Sequence, residues 1–225
     1  IGLAMIGKAR GYRVIIVMPD SMSKERRDLI QGYGAELLLT PGSQGMSGAV
    51  EKAQQLAKEN GWFLPDQFGN PANVQAHVET TGPEIWKDMA GDFDAFVAGV
   101  GTGGTLSGVA TFLKSQGSHA RIVAVQPGAS PLLPGGQAGP HAIQGIGANF
   151  IPAILKRELI DEVISVGDEE AVDATRELSK TYGLLLGISS GAAYAAAKKL
   201  AQELGEGKRI VMIAPDTGER YLSVL

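Results

Sequence analysis

Short apolar, largely β-branched runs alternate with longer amphipathic stretches along most of the chain, and that alternation limits the folds open to it. Arg13–Met18 (RVIIVM) reads as a buried strand, followed by Pro19 and a helix from about Ser23 to Gly32. Ser21 and Ser23 are N-cap candidates for that helix, and Glu25 and Asp28 sit in its early turns, where the macrodipole favours acids. Glu36–Thr40 reads as a second strand. Gly45–Asn60 reads as a helix with Val50, Ala53, Leu56 and Ala57 on one face. Phe63–Leu64 is too short to assign. Gln75–Met89 is helical in pattern, with Gly82-Pro83 interrupting or restarting it. The alternation then becomes cleaner: strand Ala95–Ala98, helix Thr105–Ser115, strand Arg121–Gln126, strand Glu162–Val166, helix Asp168–Tyr182, helix Gly191–Leu204 and strand Arg209–Ala214. Strands separated by helices of this length predict an α/β fold with largely parallel sheet. The Gly/Pro-rich stretch Pro127–Pro152 is too long for a plain connector, so it reads as functional or flexible. Phe68–Pro71, with its Gly-Asn-Pro turn, is the best candidate for a domain boundary, dividing 1–69 from 70–225.

Charge and composition exclude several classes. Of 225 residues, 44% are apolar and 20% charged, which is ordinary for a globular chain and unlike a disordered one. The net charge of −4, with scattered Lys and Arg, gives no nucleic-acid footprint. No apolar run approaches the ~18 residues of a membrane span. Without cysteine the chain holds no disulfide, thiolate metal site or Cys nucleophile, and His77, His119 and His141 lack ligand-like spacing, so no metal is expected. The first residues, IGLAMIGKARGY, read as a helix already under way, and the last, GERYLSVL, carry no stop signal. The expectation is a longer protein that continues at both ends.

Four segments could carry chemistry. In the first, Val97–Thr105 (VAGVGTGGT), an apolar run enters a glycine loop and then a helix, and Gly99, Gly101 and Gly104 spell the dinucleotide fingerprint. That fingerprint needs an acid at the end of the next strand to bind ribose, and none occurs from Ala95 through Arg157, so the nicotinamide reading fails. What remains is a phosphate site: backbone N–H groups at a helix N-terminus, the hydroxyls of Thr102 and Thr105, and no acid to repel an anion. No Gly-Lys-Ser/Thr follows, so it is not a Walker loop. The second segment is Gly187–Gly191 (GISSG), before an alanine-rich helix, where Ser190 fits an N-cap and leaves Ser189 to point elsewhere. The third, Gln144–Gly147 (QGIG), marks exposed or sharply turned backbone. The fourth, Asp66–Asn73 (DQFGNPAN), is polar and turn-forming.

Together with MPDSMSKERR at 18–27, TTGPEIW at 80–86, PHAIQGIGANFIP at 140–152 and GERYLS at 218–223, these segments resemble the cysteine synthase (O-acetylserine sulfhydrylase) family, pyridoxal-phosphate enzymes of fold type II. The resemblance covers essentially the whole chain. It implies two open, twisted, mostly parallel sheets flanked by helices, with 1–69 the remainder of a smaller, mobile N-terminal domain and 70–225 the larger cofactor domain. It implies pyridoxal 5'-phosphate as cofactor, held at its phosphate by Gly101, Thr102, Gly103, Gly104 and Thr105 and at its pyridine nitrogen by Ser189. Gln67 would help hold the substrate carboxylate, and Gly145 lies in a loop that nears the substrate. The implied reaction makes L-cysteine from O-acetyl-L-serine and sulfide through an aminoacrylate. The family's Schiff-base lysine lies upstream of Ile1, so no catalytic residue is expected within the 225 residues. The resemblance also implies a cytoplasmic homodimer and, as a partner, the C-terminal tail of serine acetyltransferase. Other readings are another fold type II enzyme, such as a cystathionine β-synthase or a serine/threonine dehydratase, and a non-catalytic binding module.

Overall fold

The computed structural model of the chain describes residues 1–224. They fall into two compact units: Ile1–Pro65 together with the segment from Gly218 onward, and Asp66–Thr217.

The first unit runs α1 (Gly2–Ala9), β1 (Ile15–Pro19), α2 (Lys24–Gly32), β2 (Glu36–Thr40) and α3 (Gly45–Asn60). β1 and β2 pair in parallel, Ile15 opposite Glu36 and Pro19 opposite Thr40. Ala4, Met18, Ile30 and Ala35 form its small core. Residues 218–223 group with this unit rather than with the expected 70–225 segment, and α2 holds them there. Ser23 Oγ donates to the Arg220 carbonyl at 2.7 Å, Arg26 Nη2 donates to the Tyr221 hydroxyl at 2.8 Å, and Glu25 accepts from the Ser223 N–H at 2.7 Å. The division also falls at 65/66 rather than 69/70, because the 66–73 turn is bonded to the second unit, as described below.

The second unit runs α4 (Ala72–Glu79), α5 (Thr81–Asp88), β3 (Ala95–Gly99), α6 (Gly104–Ser115), β4 (Arg121–Pro127), β5 (Glu162–Val166), α7 (Asp168–Tyr182), α8 (Ile188–Leu204) and β6 (Ile210–Met212). Its four strands lie in the order β5-β4-β3-β6, every neighbouring pair parallel. Phe96, Ala98, Ile122 and Ala124 join Leu106, Val109, Ala110 and Leu113 of α6 in the main core cluster. The alternate residues Ala95, Val97, Val123 and Val125 point to the opposite face and are fully buried as well. Burial on both faces is why these strands read as unbroken apolar runs.

Two elements differ from the sequence pattern. The break in the 75–89 helix falls at Thr80 (φ −124°, ψ −76°), which separates α4 from α5. Pro83 sits in the first turn of α5, where its missing N–H costs nothing. α8 starts at Ile188 with Gly187 as its cap, so Ser190 lies inside the first turn and is not the N-cap.

The strand order sets the place of a site. From β3 the chain steps to β4 and β5 on one side, then returns to place β6 on the other. The order therefore reverses at β3, and in open parallel sheets ligands bind beyond the carboxyl end of the strand where it does so.

Candidate functional site

The segment at that point is Val100–Thr105. Val100 still bonds to the sheet, its N–H donating to Val125 O at 2.9 Å and its carbonyl accepting from Gly147 N–H at 2.9 Å. Gly103, at φ +83° and ψ −6°, caps α6 without a side-chain hydrogen bond, in a conformation that L side chains adopt only under strain. Gly104 N–H donates to Thr102 Oγ1 at 3.2 Å. The backbone N–H groups of Gly101, Thr102, Gly103 and Thr105 have no partner among the described residues. Four unpaired donors at the positive end of a twelve-residue helix are an arrangement suited to an anion. Below the loop, a cavity lined by Val100, Gly101, Gln126, Leu133, Gly147 and Phe150 holds only about 20 Å³. It has room for a water but not for a cofactor.

Two of the other sequence-predicted segments meet this loop. Asp66 adopts φ +50° and starts a tight turn, its carbonyl accepting from the N–H groups of Gly69 at 3.1 Å and Asn70 at 2.8 Å. The turn places Asn73 so that Nδ2 reaches both the Gln67 carbonyl, at 2.8 Å, and Thr102 Oγ1, at 3.0 Å. The Gln67 residue is exposed. Gly145, at φ +100°, is also exposed, and its carbonyl oxygen occupies the space that a Cβ on Gly101 would need. Phe68 and Phe150 stack edge to face at 5.0 Å, which ties the 66–73 turn to the loop after Gly147. Gln67, Gly101–Thr105 and Gly145 thus share one face of the sheet's carboxyl edge.

Ser189 reaches that edge by another route. Gly187 N–H donates to the Asp216 carbonyl at 3.1 Å, and Leu186 bridges Thr217, so the turn into α8 is tied to the loop that follows β6, the neighbour of β3. Ser189 and Ser190 are both buried in the first turn of α8. No hydrogen bond joins Ser189 to the glycine loop. Ser190 Oγ is fully enclosed and has no partner among the described residues.

The sequence reading did not single out Asn73 or His77. His77 Nε2 lies 3.1 Å from Thr105 Oγ1, its Nδ1 lies 2.8 Å from Thr81 Oγ1, and burial lowers its pKa below the usual imidazole value. The signal available was Asn73 and His77 at four-residue spacing, two polar residues on one face of α4. Among the described residues, no group of three or more His, Asp or Glu could hold a metal ion, and no helix is long and apolar enough to cross a membrane.

Comparison with known proteins gives a consistent result. The family described as "Pyridoxal-phosphate dependent enzyme" matches residues 1–216. A cysteine synthase from Staphylococcus aureus is 53% identical over 224 residues, which is 99% of this chain and 72% of the relative. Among solved structures, O-ureido-L-serine synthase superposes with a TM-score of 0.96 at 45% identity, covering 99% of this chain and 70% of that one. Cysteine synthase from Entamoeba histolytica superposes with a TM-score of 0.91 at 47% identity, covering 99% and 66%.

Proposed function

The chain belongs to the cysteine synthase family of pyridoxal-phosphate dependent enzymes, and from that premise we propose that it replaces the acetoxy group of O-acetyl-L-serine with sulfide to make L-cysteine. One observation carries the reading: four unpaired N–H groups and two threonine hydroxyls surround a helix N-terminus at the sheet's switch point, within a stretch free of acids. A phosphate with two negative charges fits that donor set, and Gly101 and Gly103 keep side chains out of its way.

When bound, pyridoxal 5'-phosphate supplies an electron sink for the α-carbon of the substrate. This chain's residues bind and orient. Gly101, Thr102, Gly103, Gly104 and Thr105 would hold the phosphate. The buried Ser189 hydroxyl would hydrogen-bond the pyridine nitrogen, and a hydroxyl, unlike a carboxylate, does not hold that nitrogen protonated. The weaker sink that results suits a substrate whose β-substituent leaves readily. Gln67 would help orient the substrate carboxylate, and Gly145 would approach the substrate from the exposed turn packed on Gly101. The family resemblance puts the Schiff-base lysine upstream of Ile1, so covalent attachment is assigned to none of these residues. The same resemblance supports a cytoplasmic homodimer, and a serine acetyltransferase tail whose terminal carboxylate competes with substrate.

Product analysis on the full-length protein tests the reading. O-Acetylserine with sulfide should give cysteine, and serine with homocysteine should give no cystathionine. Cystathionine without cysteine would overturn it.

A further inference from the structure

We propose that Asn73 and His77 are positioning residues: each donates a hydrogen bond to one threonine hydroxyl of the glycine loop, which leaves both hydroxyl protons free for the bound phosphate. The inference rests on the loop's being the phosphate site. A threonine hydroxyl has one proton to give and two lone pairs to fill. At Thr102 both lone pairs are filled, by Asn73 Nδ2 at 3.0 Å and by Gly104 N–H at 3.2 Å. The direction of the first bond is fixed. The same Asn73 atom lies 2.8 Å from the Gln67 carbonyl, which can only accept, so it is the amide nitrogen and a donor to both. The Thr102 proton is therefore left to point outward.

At Thr105 the imidazole does the same work. Burial lowers the His77 pKa below the usual imidazole value, which favours the neutral ring with one N–H to place. If Nδ1 carried it, Nε2 would accept the Thr105 proton and turn that hydroxyl away from an anion. The arrangement that serves the phosphate has Thr81 donating to Nδ1 across 2.8 Å and Nε2–H donating to Thr105 across 3.1 Å. Thr81, His77 and Thr105 then form a chain of donors that ends at the phosphate.

The packing of α4 on α6 makes this reach possible. Asn73 and His77 stand one turn apart on α4, and they face Gly104 and Gly108, one turn apart on α6. A Cβ on Gly104 would collide with the Asn73 amide, and one on Gly108 would lie 2.5 Å from both His77 Cβ and the Val74 carbonyl. Only paired glycines let the helices close to this distance. One turn further the sizes reverse, with Phe112 of α6 packed against Gly82.

The first test is the tautomer in the wild-type holoenzyme, read by ¹⁵N NMR of labelled histidine and assigned with His77→Gln. A proton on Nε2 supports the proposal, and a proton on Nδ1 overturns it. The second test compares affinity for pyridoxal 5'-phosphate with affinity for pyridoxal, which lacks the phosphate. Asn73→Asp offers only acceptors at Thr102 and His77→Phe offers nothing at Thr105, so each should lower the preference for the phosphorylated form about tenfold. His77→Gln, which keeps a donor near the Nε2 position, should restore most of the loss. An unchanged preference in Asn73→Asp and His77→Phe would overturn the proposal while leaving the phosphate site intact. Equal affinity of the wild-type protein for the two forms would instead overturn the phosphate site itself.

Discussion

Alanine at Gly103 separates two costs that the structure assigns to that position. The first is backbone strain. At φ +83° an L-residue costs about 1–2 kcal/mol, partly offset by the roughly 0.4–1 kcal/mol gained when a glycine is removed from the unfolded chain. Gly117, at φ +71° with nothing within 4 Å of its would-be Cβ, bears this cost alone. The second cost is packing. A Cβ at Gly103 would lie 2.8 Å from Leu155 Cδ1, 2.9 Å from its Cβ and 3.1 Å from its backbone Cα, so a side-chain rotation cannot relieve it. Overpacking of that kind costs about 1–3 kcal/mol. Gly117→Ala should therefore destabilise by no more than about 1.5 kcal/mol, and Gly103→Ala by about 1–3 kcal/mol more. Urea titration of the apo-proteins, free of cofactor linkage, measures both. Gly103→Ala should also weaken binding of pyridoxal 5'-phosphate, and Gly117→Ala should not. Equal shifts in the unfolding midpoint would refute the assigned contact with Leu155, and equal cofactor affinity would refute the place of Gly103 in the phosphate cup.

Three further outcomes are expected. Gly101→Ala pushes a methyl group into the Gly145 carbonyl, so it should raise KM for O-acetylserine as well as weaken cofactor binding; an unchanged KM would separate Gly145 from the substrate site. Ser189→Asp puts a carboxylate in the buried first turn of α8, where the helix dipole offsets only part of the cost of desolvating it, so the absorption spectrum of the holoenzyme and its elimination rate should change as well as its stability; an unaltered spectrum and rate would remove Ser189 from the ring site. Asp94 is held below the ordinary aspartate value of 3.8, first by its hydrogen bond with Lys208 and then by the Arg209 N–H. The folded state thus takes up that proton less readily than the unfolded one, and the contribution is complete above pH 3.8 and lost as pH falls through the lowered pKa. Asp94→Asn should flatten the acid limb of the unfolding midpoint, and an unchanged limb would refute the pairing.

What was legible in the sequence follows from the range over which each signal acts. β3 and β4 could be read because burial on both faces demands continuous apolar residues, and α6 because a glycine loop precedes it. The start of α8 was misplaced because Ser189-Ser190 looks like a side-chain cap, whereas Gly187 in extended backbone (φ −76°, ψ 166°) does the capping. The break at Thr80 was placed late because Gly82-Pro83 is the obvious breaker, yet a proline in the first turn of a helix breaks nothing. The attachment of residues 218–223 to α2 had no local signal at all, since the Glu25–Ser223 bonds span 198 positions. The same holds in the site. The demand for small residues and hydroxyls is local to Gly101–Thr105, while the bonds that orient those hydroxyls come from Asn73 and His77, 29 and 28 residues away.

The acid-free run from Ala95 through Arg157 acquires a physical reason from the parallel sheet. Every strand of the second unit points the same way, so charge can be sorted between the two edges. The amino edge takes the ion pairs: Asp94 with Lys208 at 2.8 Å, Asp92 with Arg209 at 2.9 Å, and Arg121 with Glu162 at 3.1 Å. Asp161 joins them, accepting from the Ile122 N–H at 2.8 Å where β4 begins. The carboxyl end of β3 leads instead into the Val100–Thr105 loop, whose donors are N–H and O–H groups without formal charge. A carboxylate there would compete with phosphate for those donors and repel it, at a cost that grows as water is excluded. The glycines let the backbone approach an anion, and the missing acids leave its donors free; either feature alone would make a turn, and both together at the switch point suit the proposed phosphate site.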